Sequence, residues 1–126
     1  MTKVVIYCRV SSDKQVRDGN GIRSQETTCR HYAKSVGLTP ISKVFQDMGV
    51  SAKSLDRPHF REMLAYCLAH QKTGTTVLIT TMDRLTREAY DLKELYDIEA
   101  ACNITFMACD GSTLENTADG RFTIGI

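Results

Sequence analysis

Four short runs rich in β-branched and aromatic residues punctuate the chain: KVVIYCRV (3 to 10), ISKVFQ (41 to 46), TTVLIT (75 to 80) and ITFMAC (104 to 109). Each reads as a buried strand, because period-two pleating needs only a few such residues to cover both faces of a sheet. The stretches between them carry apolar residues at three- and four-residue steps, the spacing of a helix. From about Ser24 to Val36 these are Cys29, Tyr32, Ala33 and Val36, with Ser24 as N-cap and Gly37 as stop. From Pro58 to about Gln71 they are Phe60, Met63, Leu64, Cys67 and Leu68, and Gly74 closes the helix. A third helix carries Leu85, Ala89, Leu92, Leu95 or Tyr96, and Cys102. Strands alternating with helices of this length imply right-handed crossovers. The predicted class is α/β: a mainly parallel four- to five-stranded sheet with helices on both faces.

A length of 126 residues with 42% hydrophobic content suits one domain with an ordinary core. The formal net charge of +1 does not advertise nucleic-acid binding, so a case for DNA depends on where the arginines sit. Five cysteines, widely spaced and without a CxxC pair, indicate neither a zinc site nor a disulfide framework; they read as small reduced hydrophobes. The N-terminal apolar run is too short for a signal peptide and no segment approaches a membrane span, so a cytoplasmic protein is expected. DMGVSAKSLDR (47 to 57) and DGSTLENTADG (110 to 120) read as loops, and RFTIGI (121 to 126) as the start of an element that is cut off.

Open α/β sheets place ligands at the carboxyl ends of their strands. On the first strand, alternation puts Tyr7, Arg9 and Ser11 on one side and Cys8, Val10 and Ser12 on the other. An arginine inside a strand is costly to bury unless it pairs or faces a cleft. Arg9 is therefore either a paired edge-strand residue or part of a site. The third strand leads into Asp83-Arg84-Leu85-Thr86-Arg87, where Arg84 and Arg87 share a face at an expected helix start. Taken alone this is a solvated salt-bridge patch as readily as an anion site. Asp56-Arg57-Pro58, after the second strand, is on its own a charged capping turn. Convergence alters the balance: three strands each deliver an arginine to one rim, with a serine among them, which is the layout of a phosphoryl-transfer site. When no phosphate is bound these arginines are expected to find carboxylate or carbonyl partners or to swing to solvent, Asp83 pairing with Arg87 and Asp56 or Asp47 with neighbouring arginines.

Other chemistries fit less well. Gly19-Asn20-Gly21-Ile22-Arg23-Ser24 lacks the third glycine of a dinucleotide fingerprint, and no P-loop motif is present. His31, His59 and His70 read as surface residues, none of them beside Ser11 in a GxSxG elbow, so a Ser-His-Asp hydrolase is unsupported.

The run Tyr7-Cys8-Arg9-Val10-Ser11-Ser12-Asp13-Lys14-Gln15 resembles the Y-x-R-V-S-[ST]-x-x-Q signature of the resolvase/invertase family of serine recombinases. Gln25, Asp56-Arg57-Pro58 and Asp83-Arg84-Leu85-Thr86-Arg87 fit further family elements in the same order. The resemblance implies a nucleophilic Ser11, with Arg9, Arg57, Arg84 and Arg87 on the scissile DNA phosphate and Tyr7, Gln15, Gln25 and Asp83 in support. It implies no metal and no cofactor, a 5′-phosphoserine intermediate, double-stranded DNA as substrate, and dimers and a tetramer in the full-length protein. Asp83 is a candidate for proton transfer. The long stretch from Val16 to Ser24 is similar to the large members, the phage integrases and transposon recombinases. On this resemblance residues 1 to 120 are the catalytic domain, 121 to 126 the first turns of a long helix, and the DNA-binding region lies elsewhere. The competing expectation is a non-catalytic phosphate-binding or regulatory module on the same fold.

Overall fold

A computed structural model describes residues 2–10, 21–49, 57–86, 91–116 and 122–124. Four parallel strands form the main sheet: β1 (Lys3–Val10), β2 (Lys43–Met48), β3 (Thr75–Ile79) and β4 (Ile104–Ala108), in the order β2-β1-β3-β4. Among the described residues three helices lie between them, α1 (Ile22–Val36), α2 (Pro58–Ala69) and α3 (Asp91–Cys102), and a 3-10 turn, Met82–Arg84, follows β3. The parallel α/β class expected from the alternating pattern is the class observed.

The helices divide between the faces as a single crossover hand requires. The chain moves one way across the sheet from β1 to β2 and the other way from β2 to β3 and β4, so α1 must lie opposite α2 and α3. Two cores result. Val4, Ile6, Cys8, Val10 and Leu78 pack under Ile22, Cys29 and Ala33 of α1. Val5, Tyr7, Phe45, Val77, Ile79 and Phe106 pack under Phe60, Met63 and Cys67 of α2 and Leu95 of α3. Successive residues of β1 thus enter opposite cores, as alternation predicts, and all but the first are buried.

Several boundaries differ from the sequence expectation. Helix α1 starts at Ile22 after an extended Gly21 with no side-chain cap, rather than from Ser24. The reason is that Ile22, Gln25, Cys29 and Ala33 form the buried stripe, while Val36 is exposed. Leu68, expected on the inner stripe of α2, is also exposed. Strand β2 runs on to Met48, so Asp47 belongs to the sheet and not to a loop. Helix α3 is described from Asp91, and Leu85 caps the 3-10 turn as a buried residue instead of riding on the helix. The segment after Cys109 is not wholly loop, since β5 (Ser112–Asn116) and β6 (Phe122–Ile124) pair antiparallel. Within 122–124 the chain is therefore extended, where the resemblance implies helix; Phe-Thr-Ile is itself strand-favouring composition.

Gly37 ends α1 in the left-handed conformation, φ 79°, and its N–H reaches the Ala33 carbonyl. A Cβ at Gly37 would meet nothing within 4 Å, so any cost of a side chain there is conformational. Gly37→Ala is expected to lower unfolding stability by about 1 kcal/mol and Gly37→Asn by less, as measured by urea denaturation. Equal losses for both variants would show that packing, not φ, sets the cost.

Candidate functional site

The main sheet has its switch point between β1 and β3, where one connection leaves to the left and the next to the right; a crevice forms at the carboxyl ends of such strands. The pairing registers show it opening. β1 pairs with β3 only from Lys3 to Ile6, but with β2 from Val5 to Val10. Beyond Ile6, β1 therefore keeps one neighbour, and the peptide groups that face β3 need other partners.

Gln25 supplies them at Arg9. Its side-chain Oε1 accepts from the Arg9 N–H (3.1 Å) and its Nε2 donates to the Arg9 carbonyl (2.9 Å). An amide side chain from α1 thus replaces the missing strand with the donor and acceptor that a neighbouring peptide would offer. This explains a glutamine on the buried stripe of α1. Arg84 Nη1 also approaches the Arg9 carbonyl, at 3.4 Å.

On the other side of β1, the side chains of Tyr7 and Arg9 point toward the 3-10 turn and the start of α2. Arg9 donates through Nε to the Arg84 carbonyl (2.9 Å) and through Nη2 to the Asp83 carbonyl (3.3 Å). Arg57 donates through Nη1 to the Arg84 carbonyl (3.2 Å) and through Nη2 to the Leu85 carbonyl. Two guanidinium groups therefore hold three consecutive carbonyls of one turn. Both are enclosed, Arg9 2% and Arg57 1% exposed. The expectation of an arginine rim is corrected in this respect: Arg9 and Arg57 lie beneath the rim; Arg57 stands just before α2, as its place before Pro58 predicts. The carboxylates expected to pair with arginines are Asp83, Asp56 and Asp47; the contacts described for Arg9 and Arg57 are backbone carbonyls and, for Arg57, the Tyr7 hydroxyl.

Asp47, buried to 1% exposure, organises the same region. Pro58 takes the first position of α2, where no N–H is needed. The next two amides, of His59 and Phe60, both donate to the Asp47 carboxylate, at 3.0 and 2.9 Å. The carboxylate thus caps α2 from β2, in place of the side-chain cap that Arg57 does not provide. Its Oδ2 also accepts from the Tyr7 hydroxyl (2.8 Å), which in turn accepts from Arg57 Nη1 (3.3 Å). His59, read from the sequence as a surface residue, has a half-exposed ring whose Nδ1 lies 3.1 Å from Asp47 Oδ1. Burial pushes the Tyr7 phenol well above its ordinary value, with Arg57 opposing and Asp47 adding to the rise.

Arg84 faces the other way, into an open cleft of about 380 Å³ lined also by Ser24, Gln25, Thr28, Thr81, Cys109 and Asp110. It belongs to the 3-10 turn and not to a helix N-terminus, so the expected helix-end anion site is not formed at Arg84. Its Nε is buried with no hydrogen-bond partner among the described residues. Asp83 accepts a hydrogen bond from Thr81 Oγ1. The structure thus gathers Tyr7, Arg9, Gln25, Arg57, Asp83 and Arg84, while Ser11, Gln15, Asp56 and Arg87 lie outside the described residues. Among those described, no three His, Cys, Asp or Glu side chains are grouped so as to hold a metal ion, and no helix is long and apolar enough to cross a membrane.

Asp47 is the residue whose place the sequence did not give. Its neighbours are loop-like in composition, and only the pairing Arg9↔Asp47 puts it on a strand.

The fold and the crevice at its switch point define a parallel α/β domain, and comparison with known proteins gives its family. The model of the resolvase N-terminal domain matches residues 4–126, and the chain belongs to that family. The transposon Tn917 resolvase of Enterococcus faecalis is 29% identical over 116 residues, which is 92% of this chain and 54% of that protein. The transposon Tn2501 resolvase of Escherichia coli is 27% identical over 128 residues, covering all of this chain and 60% of that protein. The chain thus spans little more than half the length of these curated relatives. Among solved structures, the N-terminal catalytic domain of TP901-1 integrase superposes with a TM-score of 0.74 at 31% identity, over 86% of this chain and 78% of that one.

Removing the Tyr7 hydroxyl deprives the buried Asp47 of a donor. Tyr7→Phe is expected to cost about 1–3 kcal/mol at neutral pH, the usual penalty of a buried group left unsatisfied. The phenol's folded value is raised above the ordinary 10.0, so the wild type loses stability as pH climbs past that point, where the unfolded chain ionises first. Phenylalanine cannot ionise. The stability gap between the two proteins should narrow above about pH 10; a gap that widens there would contradict a buried, proton-bearing Tyr7.

Proposed function

We propose that this chain is the catalytic domain of a serine site-specific recombinase, which cleaves and rejoins double-stranded DNA through a 5′-phosphoserine at Ser11. The observation that carries this reading is the convergence of Arg9 and Arg57 on the turn that carries Arg84, at the switch point of the sheet. Ser11 follows Arg9 by two residues in the sequence. Family membership and the TP901-1 integrase likeness support it.

The roles follow from chemistry. Attack by the Ser11 hydroxyl on a backbone phosphate builds negative charge on the non-bridging oxygens, and guanidinium forks match those oxygens. Arg9, Arg57, Arg84 and Arg87 supply that charge, and the 3′-hydroxyl departs. Gln25 fixes the peptide of Arg9, Tyr7 links Arg57 to Asp47, and Gln15 supports the nucleophile loop. Asp83 is the candidate for moving the serine proton. Asp47 joins this set as a positioning residue, since it orients α2 and Tyr7 without facing the cleft. No metal or cofactor has a place in this scheme. In the full-length protein, dimers and a tetramer assemble around the DNA, and the reaction belongs in the cytoplasm. The DNA-binding region is assigned by resemblance alone.

Trapping decides the matter. With the full-length protein and a DNA carrying its recombination site, denaturation during the reaction should yield a protein–DNA adduct on Ser11. Ser11→Ala should abolish adduct while leaving DNA binding nearly intact, because it removes one oxygen and no positive charge. Ser12→Ala should be far milder. An adduct that survives Ser11→Ala would overturn the assignment, and DNA binding without any adduct from the wild type would favour a non-catalytic phosphate-binding module.

Metal independence can be checked separately. Adduct formation is expected to continue in excess chelator, since arginines take the part that divalent ions play in other phosphoryl-transfer sites. Loss of adduct in chelator, restored by magnesium, would contradict the scheme.

A further inference from the structure

Two cysteines far apart in sequence meet beside the cleft. Cys29, on the buried stripe of α1, and Cys109, just past β4, have their sulfurs 3.7 Å apart. Both are thiols in this structure. Cys29 is fully enclosed, whereas Cys109 is only partly buried and lines the cleft with Arg84 and Thr81. One sulfur of the pair is thus reachable from solution, and the other is in contact behind it. That is the arrangement of an attacking and a resolving thiol.

We propose that Cys29 and Cys109 form a reversible oxidation site, closing to a disulfide in the presence of a low-molecular-weight disulfide such as oxidised glutathione. Cys109, as thiolate, attacks one sulfur of the reagent. A bond to Cys109 forms, the reagent's own bond breaks, and one small thiolate leaves and takes up a proton. Cys29 then gives its proton to solvent and attacks the Cys109 sulfur, so that the protein disulfide forms and the second small thiolate departs to be protonated. The two protein thiols lose two electrons and two protons, and the reagent becomes two thiols. The closing movement is modest, from contact at 3.7 Å to a bond of about 2.05 Å.

Acidity is ordered in the direction the sequence of steps requires. The hydrogen bond between the two sulfurs holds Cys109 below the ordinary thiol value, while that bond and then burial push Cys29 above it. Burial also pushes Cys8, in the same core as Cys29, up to about 12, which leaves it unreactive at neutral pH.

The link would tie α1 to the carboxyl end of β4 across one wall of the cleft. Cys29 lies one helical turn after Gln25, the residue that grips the Arg9 peptide. Oxidation therefore fixes the helix that frames the site, and this follows from the geometry whether or not the domain cleaves DNA.

The test is to incubate the folded protein with oxidised glutathione, quench, and map tryptic peptides without reduction. The expected product has lost two hydrogens and joins peptide 24–30 to peptide 94–121, with fragmentation placing the link at Cys109 rather than Cys102. Its thermal midpoint should rise on the order of 10 °C, as a cross-link closing a long loop does, and dithiothreitol should reverse the shift. Cys29→Ala and Cys109→Ser should each prevent it. The second variant replaces the partly exposed partner, so it keeps the test sound even if Cys29→Ala folds poorly. A link of peptide 24–30 to peptide 4–9 or to Cys102, a stable glutathione adduct with no internal link, or no reaction under conditions that modify Cys102 would each overturn the proposal.

Discussion

The carboxylate of Asp47 is the point on which the site is assembled. From the end of β2 it receives two helix amides and a tyrosine hydroxyl, the Phe60 amide and the hydroxyl in buried bonds. A carboxylate enclosed in this way is tolerable only because its lone pairs are filled by donors, and the positive end of α2 adds to that support. The consequences run outward. Helix α2 is pinned against the sheet edge, Arg57 at its N-cap is brought above Tyr7, and Phe60 meets the Tyr7 ring edge-on at 5.3 Å. Arg57 also stacks over Phe60, its guanidinium carbon 5.6 Å from the ring centre. Without that carboxylate, β2, α2 and the two central side chains would share no common anchor.

Two guanidinium groups enclosed near one another repel, and the backbone of the 3-10 turn is what makes the arrangement stable. The carbonyls of Asp83, Arg84 and Leu85 carry partial negative charge and accept the guanidinium N–H groups of Arg9 and Arg57. The turn thus stands where an anion would. Its position after β3, with Arg84 on the cleft side and the carbonyls on the arginine side, means that a shift of the turn would alter both environments together.

The fold was legible because pattern sufficed for it. Four short β-rich runs and three helical periodicities specify a parallel sheet before any packing is known, and the crossover rule distributes the helices. The site was legible only in part. Arg9 drew attention because an arginine in a buried strand calls for a reason, and Arg57 and Arg84 because motif order matched a family. Nothing local marks Asp47 as a strand residue, since MGVSAKS beside it reads as loop and its helix-capping partners come later in the chain. Gln25 was legible by resemblance, but its task was not: the need for a side chain to stand in for a peptide arises from the divergence of β1 and β3, a property of pairing registers that single-sequence periodicity does not carry. The pairing of β5 with β6 escaped for a similar reason: STLEN reads as loop by composition, and the three residues Phe122–Ile124 are too few to mark a strand without a partner.

On the proposed reading, burial of Arg9 and Arg57 has a mechanistic meaning. A phosphate oxygen bearing a formal charge accepts a stronger hydrogen bond from guanidinium than a neutral carbonyl does, so DNA entering the crevice competes with the turn for the same donors. The carbonyl contacts hold both arginines near their working positions, which reduces the side-chain ordering left to be done when phosphate arrives. They also occupy the donors until it does. A serine nucleophile next to a fully exposed set of cations would meet any phosphate that diffused in. One whose cations are held on backbone carbonyls must wait for an anion placed well enough to displace them, and the surrounding assembly of a recombinase on its site is what can place a phosphodiester that accurately. The exchange of three carbonyls for one phosphate is therefore the step at which substrate positioning and activation of the site become the same event.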